Sequence, residues 1–135
     1  MKKRIFCLMS GILALTVTML IAAQAKENKR LELISKYGWI IDEENVIIED
    51  VEIPLKFSDA VSDYADMLKN GGFNLEKYKG KVLKKYTYPV KNHVDKYAVI
   101  NIFMYGNEIA AADVVVPRLD GYMHNINERK YQNAS

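Results

Sequence analysis

The sequence predicts an α+β domain: a single antiparallel sheet of about four strands with two helices packed on a face, in the order α-β-α-β-β-β. Two observations lead to this class. Two segments carry apolar residues at helical spacing, whereas four other runs are rich in β-branched and aromatic residues. The last strands also follow one another closely, and Gly106-Asn107 suits a two-residue hairpin turn. Short connections of this kind favour antiparallel pairing.

The first 25 residues predict an export signal. Three basic residues, 2–4, precede an apolar run of 19 residues from Ile5 to Ala23, and Ala23-Gln24-Ala25 has the small-x-small pattern of a signal peptidase site. Cleavage after Ala25 would release a secreted, extracytoplasmic domain. The run is also close to the roughly 20 residues that span a bilayer, so an uncleaved anchor in the cytoplasmic membrane is the alternative. We favour release.

Charge and cysteine content exclude several classes of function. The chain has 19 basic and 17 acidic side chains, and residues 2–4 supply three of the basic ones, so residues 26–135 carry 16 against 17, a net charge of −1. Because nucleic-acid-binding domains are typically basic, we expect no nucleic acid partner. The single cysteine, Cys7, lies in the signal, which leaves the mature domain without disulfides or a thiol nucleophile.

The first half of the domain, which we place at residues 29–126, contains one helix and one strand before its second helix. Apolar spacing predicts a helix from Lys26 to Tyr37, ended by Gly38. A β-branched run predicts a strand from Val46 to Ile53, and a bulge near Glu49 would reconcile the opposite parities of its two halves.

The second half predicts a helix followed by three strands. Ser58 can cap a helix from Asp59 to Asn70. The strands are predicted at Val82–Val90, Tyr97–Tyr105 and Glu108–Val116. Pro89 lacks an N–H and therefore marks the first of these as an edge strand or as a strand end. Residues 127–135 are polar and without periodicity, which predicts a flexible tail.

Several motifs recur in an order that resembles a known family. They are Tyr37-Gly38-Trp39, Gly72-Phe73-Asn74-Leu75, Tyr86-Thr87-Tyr88 and Leu119-Asp120-Gly121-Tyr122-Met123-His124. Over roughly residues 31–126 the chain is similar to the small exported bacterial proteins called domain of unknown function 4830. The resemblance implies export or membrane anchoring and supplies no activity. The chain departs from the family pattern at Ala111-Ala112 and at Asn125, where glycines are usual.

Three polar residues late in the chain are the catalytic candidates. Asp120 and His124 are four residues apart around Gly121, and a carboxylate that orients an imidazole is the core of many acid–base sites. The alternative, which we favour, is a local turn with a structural histidine. Asp113 lies in an otherwise apolar strand segment, where it is either buried and paired or, as we favour, bonded to a neighbouring tyrosine or lysine on an open face. His93 and His124 without cysteine do not predict a metal site, and no cofactor is predicted.

Basic and aromatic residues alternate over one predicted strand. The candidate binding residues are Lys81, Lys84, Lys85, Tyr86 and Tyr88. Such interleaving can serve a polyanion such as an anionic headgroup or a cell-wall polymer. The acidic segment 42–52 offers the alternative, since a neighbouring acidic strand would neutralise the lysines.

These observations leave three hypotheses for function. The one we favour is a non-catalytic binding or interaction module at the cell envelope, with an envelope protein or a polyanion as partner. It would use the lysine and tyrosine strand or the exposed sheet edge. The second is a small hydrolase-like enzyme that uses Asp120, His124 and Asp113. The third is an inhibitor-type protein, which rests on analogy of fold alone.

Overall fold

The computed structural model describes the backbone of residues 2–131 and the side chains of residues 16–131. The chain divides into two units, residues 1–32 and residues 33–135. Helix α1, Lys2–Lys36, forms most of the first unit and contributes its last turn to the second. Within the described residues, no helix offers an apolar stretch long enough to span a bilayer. Most of the predicted signal, including Cys7, lies outside the residues whose side chains are described.

The second unit is built on one antiparallel sheet, which confirms the α+β class. Its strands are β1 Ile47–Glu52, β2 Val82–Pro89, β3 Val99–Tyr105, β4 Glu108–Val115 and β5 Met123–Asn125. They are neighbours in the same order as in the sequence. The described sheet therefore has one strand more than predicted, because the three-residue β5 is too short to produce an alternating pattern.

Two details of the strands differ from or refine the predictions. The pairing of β1 with β2 is continuous from Ile47 opposite Thr87 to Glu52 opposite Val82, so the predicted bulge near Glu49 is wrong. The two parities of β1 need no bulge because this edge strand is almost entirely exposed and buries no consistent face. Pro89 ends β2, which is an inner strand, so of the two alternatives the strand end is confirmed.

Helix α2, Asp59–Asn70, begins at Ser58, whose side chain accepts a hydrogen bond from the Val61 N–H. Ala65 and Leu68 of α2 pack on Leu83, Phe103 and the short 3-10 helix Leu75–Tyr78. We call this side of the sheet the α2 face.

The opposite side of the sheet holds the second part of the core. Ile34, in the last turn of α1, and Trp39 pack there against Tyr88, Ile100 and Val114. We call this side the Trp39 face. The two helices thus contact opposite faces, and the prediction that both pack on a single face is wrong. The reason lies in β3, which is apolar on both sides and has to be covered twice.

Candidate functional site

The three catalytic candidates do not come together. Asp113 lies on the α2 face, opposite Asn101 and Asn125 in the pairing of β4 with its neighbours. His124 is paired with Val114 and lies on the Trp39 face. Asp120 lies on the exposed loop between β4 and β5, where its carboxylate contacts Arg118 Nε at 3.0 Å. Among the described contacts, none joins Asp120 to His124, so the structure does not bring these two candidates together.

Asp113 belongs to a buried polar row that crosses the α2 face. Thr87 Oγ1 donates to Asn101 Oδ1 at 2.7 Å, and Asn101 Nδ2 donates to Asp113 Oδ1 at 2.8 Å. The Tyr64 hydroxyl of α2 bonds to the other carboxyl oxygen. Asn125 continues the row, and its buried Oδ1 has no hydrogen-bond partner. Asp113 is thus buried and paired, with Tyr64 of α2 against it, and the favoured open-face position is wrong.

Burial dominates the electrostatics of this row. Asp113 is only 2% exposed, and desolvation raises the pKa of its carboxyl above the usual range although Tyr64 and Asn101 both act in the opposite direction. Desolvation, with the adjacent Asp113 as a second cause, also raises the pKa of the Tyr64 hydroxyl. Both groups therefore favour their neutral forms, which suits a structural network better than a proton-transfer site.

The partner of His124 is the other histidine of the chain. His93 Nε2 and His124 Nε2 lie 3.0 Å apart, and the two side chains are 2% and 3% exposed. His124 Nδ1 lies 2.7 Å from the Asn125 carbonyl oxygen, and the Asp95 N–H donates to His93 Nδ1 at 2.9 Å. The outer contacts assign both tautomers. His124 carries its proton on Nδ1, and His93 carries its proton on Nε2 and donates it to His124.

The surroundings of the histidine pair favour neutral rings. Desolvation is the main cause that lowers the pKa of both His93 and His124 below the usual value, and for His93 the neighbouring His124 acts in the same direction. Trp39 covers the pair, with its ring stacked on His93 at a centroid distance of 5.5 Å. The Trp39 Nε1–H donates to the Ile126 carbonyl at 2.7 Å. Trp39 thus lies against both histidines and is itself bonded just beyond the end of β5.

Asp95 joins the two loops above this pair. Its carboxylate accepts a hydrogen bond from the Tyr122 hydroxyl and contacts Arg118 Nη1 at 3.2 Å. The bond from Tyr122, followed by the attraction of Arg118, lowers the pKa of the Asp95 carboxyl. Gly121 allows the second loop to fold tightly, since a Cβ there would lie 1.9 Å from the Val116 carbonyl oxygen. Residues 90–98 and 116–123, with Ile40 beside them, form what we call the loop end.

Large apolar side chains are exposed at the loop end. They are Ile40, Val94, Tyr97, Leu119 and Met123. Tyr97 is 83% exposed and Leu119 is fully exposed. Tyr97 also has a φ of +67°, a conformation that is unfavourable for a bulky residue and is maintained only by its surroundings. Two loops fixed at Asp95 therefore present aromatic and aliphatic groups to solvent.

The predicted lysine and tyrosine set is dispersed. Tyr88 is buried in the core of the Trp39 face. Lys84 and Lys85 alternate between faces and contact Asp50 and Glu49 at 3.8 and 3.2 Å. The acidic neighbour considered in the sequence is thus β1 itself, and its carboxylates neutralise these lysines.

The five residues do not form one surface. Lys81 lies near the start of β2 with its Nζ 5.9 Å from the centroid of the Tyr105 ring. Tyr86 is half-buried against the core of the Trp39 face, the face that it shares with Lys84 and Tyr88 by the alternation of the strand. On that face Tyr88 is buried and Lys84 contacts Asp50, so the basic and aromatic groups are divided between the core and an ion pair.

Sequence reasoning did not find the residues that organise the loop end. His93 was considered only as a metal ligand, and Asp95 and Tyr97 carried no motif at all. Within the described residues, no group of three or more metal-ligating side chains comes together. The one usable signal was Asp120-Gly121, which does mark the tight turn of the second loop.

Comparisons of the chain with protein-family models, curated proteins and solved structures found no match. The resemblance to the family of unknown function therefore stays a prediction.

Proposed function

We propose that the domain is a non-catalytic interaction module of the bacterial cell envelope, which binds an envelope protein through the loop end. One observation carries the proposal: Val94, Tyr97 and Leu119 are exposed on two loops that Asp95 fixes to each other. Exposed aromatic and aliphatic groups on rigid loops are typical of binding surfaces, because ordering them on association costs little entropy.

The chemistry of the loop end indicates the kind of partner. Protein interfaces combine a centre rich in aromatic and aliphatic groups with a polar rim, and arginine is enriched in them. Tyr97 and Leu119 would supply the centre, and Arg118 and Asp120 would supply the rim. We therefore expect a protein with a complementary apolar pocket. An inhibitor-type role is the special case in which that protein is an enzyme.

An extracytoplasmic location rests on the predicted export signal. The apolar residues of α1 that the structure describes support it, because Val17, Met19, Leu20 and Ile21 are each more than half exposed. Exposed apolar residues in a helix are typical of a signal or an anchor and untypical of a core helix.

The hydrolase hypothesis receives no support from the site. A dyad needs its base within hydrogen-bond reach of its partner, and His124 has both ring nitrogens engaged elsewhere. Asp113 lies across the sheet from His124 beneath α2.

Photo-crosslinking in cells tests the proposal. Tyr97 of the full chain is replaced by the photoreactive residue p-benzoylphenylalanine, and so, in separate variants, are Leu119 and Leu55. Leu55 is the matched control, because it is 79% exposed and lies near Gly80, at the opposite end of the sheet. We expect the same discrete adduct from positions 97 and 119 and none from 55. Adducts of equal yield at all three positions, or none at 97 and 119, would contradict the proposal.

A further inference from the structure

The histidine pair lies directly behind the proposed binding surface, and its hydrogen bonds accept no extra proton. His93 Nδ1 and His124 Nε2 are the only ring nitrogens of the pair without a proton, and each already accepts a hydrogen bond. A proton on His93 Nδ1 would face the Asp95 N–H. A proton on His124 Nε2 would face the Nε2–H of His93 unless His93 changed tautomer, which again places a proton opposite Asp95.

The first proton to enter the pair, on either ring, thus breaks one of two bonds. It removes the bond between the rings or the bond from the Asp95 N–H. The bond from the Asp95 N–H lies in the loop that carries Val94 and Tyr97, and Asp95 comes two residues before Tyr97. The bond between the two rings joins that loop to β5. Either loss loosens the loop end.

The charged groups around the pair act in both directions, and burial outweighs them. From the loops, the Asp95 carboxylate raises the pKa of His93, but burial and the neighbouring His124 act more strongly in the opposite direction. From the tail, Lys130 lowers the pKa of both rings, while the half-exposed Glu128 Oε2, 3.9 Å from His124 Nδ1, raises that of His124. From β4, Asp113 on the far face of the sheet raises the pKa of His124 as the smallest of its causes.

The tail that covers the pair depends on the first loop. Residues 127–131, part of the predicted flexible tail, run beside this loop, where Tyr131 pairs with His93 and the Val94 N–H donates to the Lys130 carbonyl. The Tyr131 ring also packs edge-on against Trp39, with the ring centroids 4.7 Å apart. Its hydroxyl is buried without a hydrogen-bond partner, which opposes this packing and favours release to water once the loop moves.

We infer that the His93–His124 pair is an acid-sensitive latch, which holds the loop end in its binding form at neutral pH and releases the loops and tail in mild acid. The inference rests on the proposed function for its meaning, since it describes regulation of that surface. The latch itself is a property of the isolated domain.

The chain simplifies the test because it has only two histidines. Nitrogen-15 NMR of the full chain follows the ring nitrogens and the backbone amides from about pH 7.5 to about pH 4.5, a range that brackets the ordinary histidine pKa. At the upper limit we expect the Nε2–H tautomer for His93 and the Nδ1–H tautomer for His124. As the rings protonate, amide protection in residues 91–98, 118–122 and 127–131 should fall about tenfold or more, while Ile100–Met104 stay protected.

The matched control is the His93→Gln/His124→Gln double variant, which keeps polar side chains and cannot titrate. Its loop protection should not change over the same range. The inference is overturned by other ring tautomers, by wild-type loops that stay protected, by an equal loss in the double variant, or by unfolding of the whole sheet in one step. If the variant does not fold, the tautomers and the loop protection of the wild type still support or overturn the latch.

The two proposals fail separately. Crosslinking at neutral pH tests binding whatever the latch does, and the NMR titration needs no partner. A latch without adducts would refute the proposed function alone, and adducts without an acid-dependent loss of protection would refute the latch alone.

Discussion

Two buried polar clusters lie back to back on strands β4 and β5. Asp113 of β4 pairs with Asn125 of β5, and both belong to the row on the α2 face. Their neighbours in the sequence, Val114 and His124, also pair with each other and lie on the Trp39 face. Burial favours the neutral form in both clusters, yet one holds an acid and the other holds two bases. Their responses to pH must therefore be opposite in sign.

The clusters also differ in what covers them. The Asp113 row is covered by α2, a 12-residue helix that begins at a side-chain cap and packs Leu68 into the core. The histidine pair is covered by loops and by a short segment near the end of the chain. Elements with few backbone hydrogen bonds open at lower free energy than packed helices. We therefore expect the histidine pair to become exposed by local opening more readily than the Asp113 row.

The largest effect is expected from removing the acid of the sealed cluster. Asp113→Ala leaves Tyr64 and Asn101 without their buried partner, and we expect it to lower the free energy of unfolding by about 2–5 kcal/mol. Asp113→Asn is the control, since its amide preserves the shape of the side chain and removes its charge. Urea unfolding of the full chain measures both. A loss of equal size in the two variants would mean that the charge of Asp113 stabilises the domain.

The same substitution made on each side of the sheet tests the difference in cover. Tyr64→Phe removes a hydroxyl from beneath α2, and we expect a loss of about 1–3 kcal/mol. Tyr122→Phe removes one from the more exposed loop end, where Asp95 keeps Arg118 and can bind water, and we expect about 0.5–1.5 kcal/mol. Thermal unfolding of the two variants in parallel gives the ranking, and the reverse order would contradict the comparison.

The opposite pH responses can be separated by variants. The lowered pKa of each histidine makes the stabilising contribution of the pair complete at neutral pH, and it is lost as pH falls below about 6.5. The raised pKa of Asp113 makes its contribution complete below about 3.9, and it is lost as pH rises through the pKa in the folded protein.

Asp113→Asn should therefore isolate the histidine response, which is a loss of stability as pH falls below about 6.5. His93→Gln/His124→Gln should isolate the aspartate response, which is a loss of stability as pH rises above about 3.9. Urea midpoints measured between about pH 4 and about pH 7 test the two signs. Slopes of the same sign in the two variants would refute the assignment.

The smallest effect is expected at the exposed ion pairs between β1 and β2. Lys84→Ala removes a 3.8 Å contact with Asp50 in which both side chains are more than half exposed, and we expect a change within about 0.5 kcal/mol. A sedimentation assay with anionic vesicles should also give equal binding for this variant and the wild type. A clear loss of stability or of vesicle binding in this variant would indicate that Lys84 has a functional or structural role.

The sequence predicted the elements of this domain better than its contacts. Periodicity placed α2 at the residues that form it, and Gly106-Asn107 marked the hairpin, because such signals are local. Periodicity could not show that His124 meets His93, since that contact depends on how β5 pairs with β4 and on the path of a loop 31 residues earlier in the chain. The nearby Asp120 was the natural partner by spacing, and the fold turned it to solvent and to Arg118 instead.

Trp39 is the only tryptophan of the chain, and its indole is stacked on His93. A protonated imidazole against an indole is expected to quench its emission, whereas a neutral one does so weakly. The fluorescence of the unmodified protein should therefore report the state of the latch directly. The domain carries its own optical probe at the place where it is expected to respond to acid, so the purified protein can be followed through an acid titration without any label.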